Sequence, residues 1–352
     1  MNTAAVICEY NPMHGGHRAM LGAIRGAEGE DCVILCVMSG DFVQRGEPAV
    51  YDKYARAAAA IDGGADVVLE LPYPWSSSVA EHFASGALSI IRKAGGASSL
   101  WFGSEGKNEE ELSAIAADLT SAEFAEKAAE VRRRDRTLSY PRLIAVSYAE
   151  AFSRELSLQP NETLALEYLK ILQKEGSGTV AHALPLVGGY SAGTERARIR
   201  AEGGRGAAFL ENGGKAILAH LILSGGKDRF SRGARGVTTV GALMEKVRTP
   251  SDTDARLKRE LLSVLLCANG AEREEPRFTV LLGANARGRR WLKETKKTRA
   301  IPVIVKQARA ALDARAREQY ALYRRAQDFY GCFTDGMRSA EDAMRRAPYL
   351  PD

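Results

Sequence analysis

Two histidines three residues apart, His14 and His17, enclose Gly15 and Gly16 and follow an Asn11-Pro12 pair at the end of an apolar run. Each residue type in this string has a use in phosphate chemistry. Asn-Pro forces a turn, and the glycines let the backbone approach a ligand closely before a helix begins. A helix N-terminus offers free N–H groups and a positive dipole end to an anion. Imidazoles placed there are donors that can follow charge developing on a phosphate during in-line attack. The same spacing has other uses. A His-x-x-His pair binds zinc when a third ligand and a glutamate base lie nearby, and a strand–helix turn can simply hold two structural histidines. The succession of strand, Asn-Pro turn, paired histidine and helix favours phosphate.

Such a site needs a sheet to carry it. Short runs rich in Val, Ile and Leu at 4–8, 32–38, 66–71, 99–103 and 180–187 read as strands covered on both faces. Helical patterns at 17–26, 53–63, 79–94 and 109–134 fall between them, and another at 161–174 follows Pro160. Strand and helix in alternation predict an α/β fold, a Rossmann-like domain with a parallel sheet, whose ligands bind at the carboxyl ends of the strands. The chain turns glycine-rich over 201–214, which puts a domain boundary near 205. Residues 206–352 are expected to be mostly helical, with helices at 215–223, 257–268 and 306–329 and a short strand pair around 277–282 and 301–305.

With 352 residues, 45% hydrophobic and 26% charged, the chain has the makeup of two ordinary globular domains. The five cysteines form no CxxC pair, and three lie in apolar runs, as buried thiols do in a reducing compartment. The first residues lack the basic and apolar regions of a signal peptide, and no run reaches the roughly 18 apolar residues of a membrane span. A cytoplasmic protein with no membrane association and no obligate protein partner is expected. The net charge of +5 does not by itself demand nucleic acid. Its distribution says more, because basic residues gather at 132–136, 196–200 and 287–299.

Longer blocks extend the motif: Tyr10 to His17, then Met38-Ser39-Gly40-Asp41-Phe42-Val43-Gln44-Arg45-Gly46-Glu47-Pro48-Ala49, Leu69-Glu70-Leu71-Pro72, and Phe102-Gly103-Ser104-Glu105. Leu281 to Arg289 and Ile301-Pro302-Val303-Ile304 follow near the other end. The first block resembles the His-x-Gly-His motif of the nucleotidyltransferase superfamily. Taken together, the blocks resemble the bacterial tRNA(Met) cytidine acetate ligase family over most of the chain. The resemblance implies a two-step reaction. Acetate attacks the α-phosphate of ATP, carried as its Mg²⁺ complex, to give acetyl-adenylate and release pyrophosphate. The exocyclic amine of the wobble cytidine of elongator tRNA(Met) then takes the acetyl group. By the same resemblance the nucleotide-binding stretch runs from Ile7 through Cys8, Glu9, Tyr10, Asn11, Pro12, Met13, His14, Gly15, Gly16 and His17 to Met20, with His14 and His17 catalytic. Gly103 and Asn161 match further nucleotide contacts. The family's Ser-Ala-Thr-x-Ile-Arg run selects Arg200, although Ser191 to Arg200 departs from that run and leaves the register open to Arg198.

Asp41 and Arg45, on the loop after the second strand, are candidates for acetate or tRNA, since an arginine fork suits a carboxylate. Arg287, Arg289, Arg290, Lys293, Lys296 and Lys297 surround Trp291, a mixture suited to RNA. His82, His182 and His220 are assigned no role. No dedicated metal site is evident. Two other functions remain open: a small-molecule adenylyltransferase, which has no use for a basic second domain, and a non-catalytic RNA-binding protein on the same fold.

Overall fold

A computed structural model of the chain describes residues 1–186, 190–201, 214–268, 270–307, 311–332 and 346–351. The first half forms β1 (Thr3–Cys8), α1 (Gly15–Glu28), β2 (Val33–Ser39), a small antiparallel hairpin of β3 (Phe42–Val43) and β4 (Glu47–Pro48), and α2 (Lys53–Asp62). It continues with β5 (Val67–Leu71), α3 (Ala80–Ala94), β6 (Ser99–Ser104), α4 (Glu109–Thr120), α5 (Ala122–Arg134), α6 (Tyr140–Phe152), α7 (Pro160–Glu175) and β7 (Val180–Pro185). Then come α8 (Ala192–Ala201), α9 (Gly214–Leu223), α10 (Arg229–Gly233), α11 (Val240–Val247) and α12 (Asp254–Leu266). The chain closes with β8 (Thr279–Ala284), α13 (Ala286–Glu294), β9 (Val303–Ile304) and α14 (Ala314–Gly331).

The main sheet has the order β7-β6-β1-β2-β5-β8-β9, parallel except where β8 runs against β5. The five expected strands and the short strand pair therefore lie in one sheet. Period-two alternation sorts its side chains cleanly. Ala5, Val33, Leu35, Val37, Val67 and Leu69 face a core built with α3, α4, α7 and α13. Ala4, Val6, Ile34, Cys36, Met38 and Val68 face the other side, against α1, α2 and α14. Both faces are covered, so the strands read as unbroken apolar runs.

Where sequence periodicity suggested one helix over 109–134 there are two. Ser121 is extended (φ −70°, ψ 154°), and its Oγ accepts from the Phe124 amide to cap α5. The cap satisfies donors that a continuous helix would not leave free, so the break costs little. Helices α6, α8, α10 and α11 were not expected; α10 and α11 are short, at 5 and 8 residues. Helices α9 to α12 share a core of their own around Leu218, Phe230, Leu243 and Leu257. A further cluster, with Phe42, Tyr73, Leu262 and Tyr330, joins α12 and α14 to the β3–β4 hairpin. The five cysteines are free. No helix among the described residues is long and apolar enough to cross a membrane.

Trp291 on α13 is 2% exposed, and its indole N–H donates to Thr3 Oγ1 at 3.1 Å. Trp291→Ala is expected to cost about 3–5 kcal/mol, as for other buried aromatics. Urea denaturation should show this as a lower midpoint with little change in slope.

Candidate active site

The parallel order reverses between β1 and β6. From β1 the chain builds outward through β2 and β5, then returns to place β6 and β7 on the other side. Such a switch point opens a crevice at the carboxyl ends of the strands. The register shows the opening: β1 pairs with β2 as far as Cys8↔Met38, but with β6 only as far as Val6↔Trp101. The motif residues leave β1 at that opening.

Tyr10 takes a left-handed conformation (φ 44°), and the Asn11-Pro12 peptide is cis. The side chain of Asn11 is used structurally, its Oδ1 accepting from the Val50 amide at 2.8 Å. His14 occupies the N-cap position of α1, and His17 Nδ1 accepts from the His14 backbone N–H at 3.3 Å. With Nδ1 engaged as an acceptor, the neutral ring of His17 carries its proton on Nε2 and is a donor there. The two imidazoles stack with centroids 3.7 Å apart and planes 18° apart. Two stacked rings cannot both be charged cheaply. Burial first, and then His14, depress the pKa of His17 to about 3, and burial also lowers that of His14. His14 Nδ1 is enclosed and has no hydrogen-bond partner. The pair is thus neutral, and the first amides of α1 beside it have no intrahelical acceptors.

The glycines here leave room for a ring. A Cβ on Gly15 would lie 2.5 Å from the Tyr190 ring, and one on Gly16 would lie 3.2 Å from the His14 imidazole. Tyr190 itself lies parallel to His14 with centroids 6.0 Å apart. On the β6 side, a Cβ on Gly103 would meet Leu186 at 2.6 Å. Asn161, at the start of α7, donates from its backbone and its Nδ2 to Glu105 Oε1, at 3.2 and 2.9 Å. Beside it, buried Glu162 holds Lys107 at 3.1 Å and caps α7 through the Gln159 amide. Gly103 and Asn161 thus stand at the carboxyl end of β6, across the opening from the histidines.

Among the described residues, Arg196 reaches the motif, its Nη1 donating to the Asn11 carbonyl at 3.0 Å. Arg198 pairs with Glu195. Arg200 lies in α8, and its side chain is outside the described residues. The run of alternating arginines was visible in the sequence, but only the helix shows that Arg196 points back to β1.

Asp41 is occupied within the fold. Its carboxylate pairs with Lys53 Nζ at 2.9 Å, and Lys53 also meets Glu70 at 2.8 Å and the Tyr323 hydroxyl at 2.8 Å. Burial opposes the charge of Lys53, but the carboxylates of Asp41 and Glu70 hold its pKa above the ordinary value. Glu70 is pushed by burial up to about 7, against the pull of Lys53. Arg45, in the turn of the β3–β4 hairpin, is exposed. Arg56 was not foreseen. Its guanidinium donates to the carbonyls of Glu9 (2.6 Å), Ser39 (3.0 Å), Gly40 and Tyr51 (3.0 Å), and the residue is 2% exposed.

The basic residues of α13 and of the turn after it lie at the opposite, amino end of the strands. β8 runs against β5, so α13 starts beside Asp66, at the amino end of β5, and packs near Thr3 at the start of β1. Arg287 is tied to Asp66 at 3.0 Å, and Arg289 to the Pro351 carbonyl. Arg290, Lys293, Lys296 and Lys297 are exposed. Trp291 is core, not a stacking platform, because the apolar side of this amphipathic helix turns toward the sheet.

A parallel sheet whose switch-point crevice begins with a stacked, neutral histidine pair at a helix N-terminus defines a nucleotidyl-transfer site. The chain belongs to the HIGH nucleotidyl transferase family, whose model matches residues 1–185 and 220–345. It is similar to the tRNA(Met) cytidine acetate ligase of Acetivibrio thermocellus, 27% identical in an alignment that covers 87% of this chain and 88% of that protein. The enzyme of the same name from Caldanaerobacter subterraneus is 29% identical in an alignment that covers 88% of this chain and 89% of that protein. Its fold matches the crystal structure of Thermotoga maritima TmcAL bound with alpha-thio ATP, with a TM-score of 0.87, 26% identity and 99% of each chain covered.

A His17 pKa of about 3 predicts that its ring signals in NMR stay constant down to about pH 4, unlike a free imidazole near 6.5. Between those two values the unfolded chain binds the extra proton and the folded one does not. The stability that goes with neutral His17 is therefore complete above about pH 6.5 and falls as pH drops toward 3. His17→Asn should make that part of the stability–pH curve shallower.

Proposed function

We propose that this chain activates acetate with ATP and transfers the acetyl group to the exocyclic amine of the wobble cytidine of elongator tRNA(Met). The observation that carries this reading is the neutral His14–His17 stack at the N-terminus of α1, with His17 Nε2 left as a donor. Neutral donors do not attract bulk anions strongly, but they strengthen as charge moves onto the oxygens of an α-phosphate under attack by acetate. The amides of Gly15 and Gly16 and the dipole of α1 add to this.

In this reading Ile7 to Met20, Gly103 and Asn161 hold the nucleotide. Arg196 joins Arg200 as a cation for the polyphosphate, and Arg45 is free to meet acetate or RNA. Among the described residues no group of three His, Cys, Asp or Glu side chains is placed to hold a metal. Mg²⁺ would enter with ATP, whose phosphate oxygens it binds. Residues 1–205 supply the activation chemistry, and 206–352 contribute to tRNA binding. The similarity to enzymes named for tRNA(Met), cytidine and acetate supports these assignments, and the cytoplasm is where such substrates meet.

The test incubates the protein with ATP, Mg²⁺, radiolabelled acetate and unmodified elongator tRNA(Met). Label is expected at the anticodon cytidine. His14→Ala and His17→Ala should each lower its rate by about 10²–10³, the usual effect of removing a transition-state donor. Pyrophosphate release with a phosphorylated small molecule and no RNA would favour an adenylyltransferase instead. Binding of tRNA without ATP turnover would favour a non-catalytic role.

A further inference from the structure

The transfer step needs a proton acceptor. When an aromatic amine attacks the carbonyl of acetyl-adenylate, a C–N bond forms and the nitrogen must shed a proton. The bond from carbonyl carbon to phosphate oxygen then breaks, and AMP leaves. Neither histidine suits this task. His17 Nδ1 is taken by the His14 amide and its Nε2 already holds a proton, and burial lowers the pKa of both rings, which makes them poor proton acceptors.

Most carboxylates around the carboxyl ends of the strands are committed. Asp41 and Glu70 share Lys53, Glu47 holds Lys258, Glu105 holds Asn161, and Glu195 holds Arg198. Glu9 is different. It is the first residue beyond β1, at the mouth of the crevice, and is half-buried. One oxygen accepts from the Gln44 amide at 2.7 Å, which fixes the carboxylate, and no cation among the described residues forms an ion pair with it. We propose that Glu9 is the general base of acetyl transfer, taking the proton from the amine as it attacks. This rests on the ligase reading above. The proton passes from the nitrogen to Glu9 and then to solvent, and the products are the acetylated amine and AMP.

The surroundings suit that role. Burial raises the pKa of Glu9 above that of a free carboxyl and makes it a better acceptor. The Gln44 amide, and Arg56, Arg196 and Arg45 from three separate elements, pull the other way and favour its charged form. Tyr168 on α7 also faces it, and burial keeps that phenol neutral.

Two half-reactions separate the possibilities in the full-length protein. Acetate-dependent ATP–pyrophosphate exchange reads activation, and single-turnover transfer from prepared acetyl-adenylate to tRNA reads the second step. Glu9→Gln keeps the shape and the acceptor for Gln44 but cannot take a proton. It should lower transfer relative to exchange by about 10²–10⁴. Glu9→Asp should restore part of the loss, and transfer by the unaltered enzyme should rise with pH through the titration of Glu9 while the Glu9→Gln rate stays flat. Equal losses in both half-reactions, or transfer within a few-fold of the unaltered enzyme, overturns the assignment. Unaltered protein that performs no acetate-dependent exchange overturns the ligase reading itself, and the role of Glu9 with it.

Discussion

A single buried guanidinium holds the carboxyl ends of the first two strands in place. Parallel strands that end at a ligand crevice leave carbonyls without ladder partners, and buried carbonyls must be satisfied. Arg56 reaches up from α2 and donates to Glu9 after β1, to Ser39 and Gly40 at the end of β2, and to Tyr51 in its own loop. Its planar fork matches several acceptors at once, which a lysine could not do. The path of the chain from Glu9 into the histidine turn and the start of the 40–50 loop are thus set by one side chain. The placement of His14, His17 and Gln44 follows from it.

A second buried cation ties this arrangement to the far end of the sequence. Lys53, three residues before Arg56, takes up Asp41, Glu70 and Tyr323, so the loop after β2, the strand β5 and the helix α14 meet at one ammonium group. Tyr323 also donates to Glu70 at 2.8 Å, and Gln327 and Gln307 donate to its hydroxyl. Breaking one member of such a group leaves a buried charge unpaired, so the parts hold one another in register. On the opposite side of the hairpin, Gly46 (φ 78°) lets the turn press against the backbone of α12 at Lys258 and Arg259, and Arg259 donates to the Gln44 carbonyl. The helical region and the crevice therefore share the loop that holds Glu9.

What the sequence reveals and what it hides divide along physical lines. The sheet is legible because strands covered on both faces are written as runs of Val, Ile and Leu, and the histidine turn because its Asn, Pro, Gly and His each answer a local need. The break at Ser121 is hidden, since apolar spacing carries on through it and only the cap shows it. Helix α13 misleads in another way: a tryptophan among arginines has one spacing whether it faces RNA or core, and only β8 turning against β5 decides. Arg56, Lys53 and Tyr323 were out of reach, because their meaning lies in partners as far as 270 residues away. Arg196 stood in plain view among three alternating arginines, and what was missing was the direction of α8.

The antiparallel seat of β8 also shapes the birth of the molecule. Strand β5 lies inside the finished sheet, yet its outer neighbour is made far later: Thr279 of β8 reaches back to the Glu70 carbonyl across 209 residues. At about 5–20 residues per second, a ribosome needs roughly 10–40 s to supply that neighbour. Through that interval the nascent sheet has an apolar strand with an open row of N–H and C=O groups, the kind of edge that finished proteins protect. The face that α14 will cover is bare for longer still. The crevice itself is built from early residues, but the chain must travel almost to its end before the layer beneath that crevice is closed to water and to other chains.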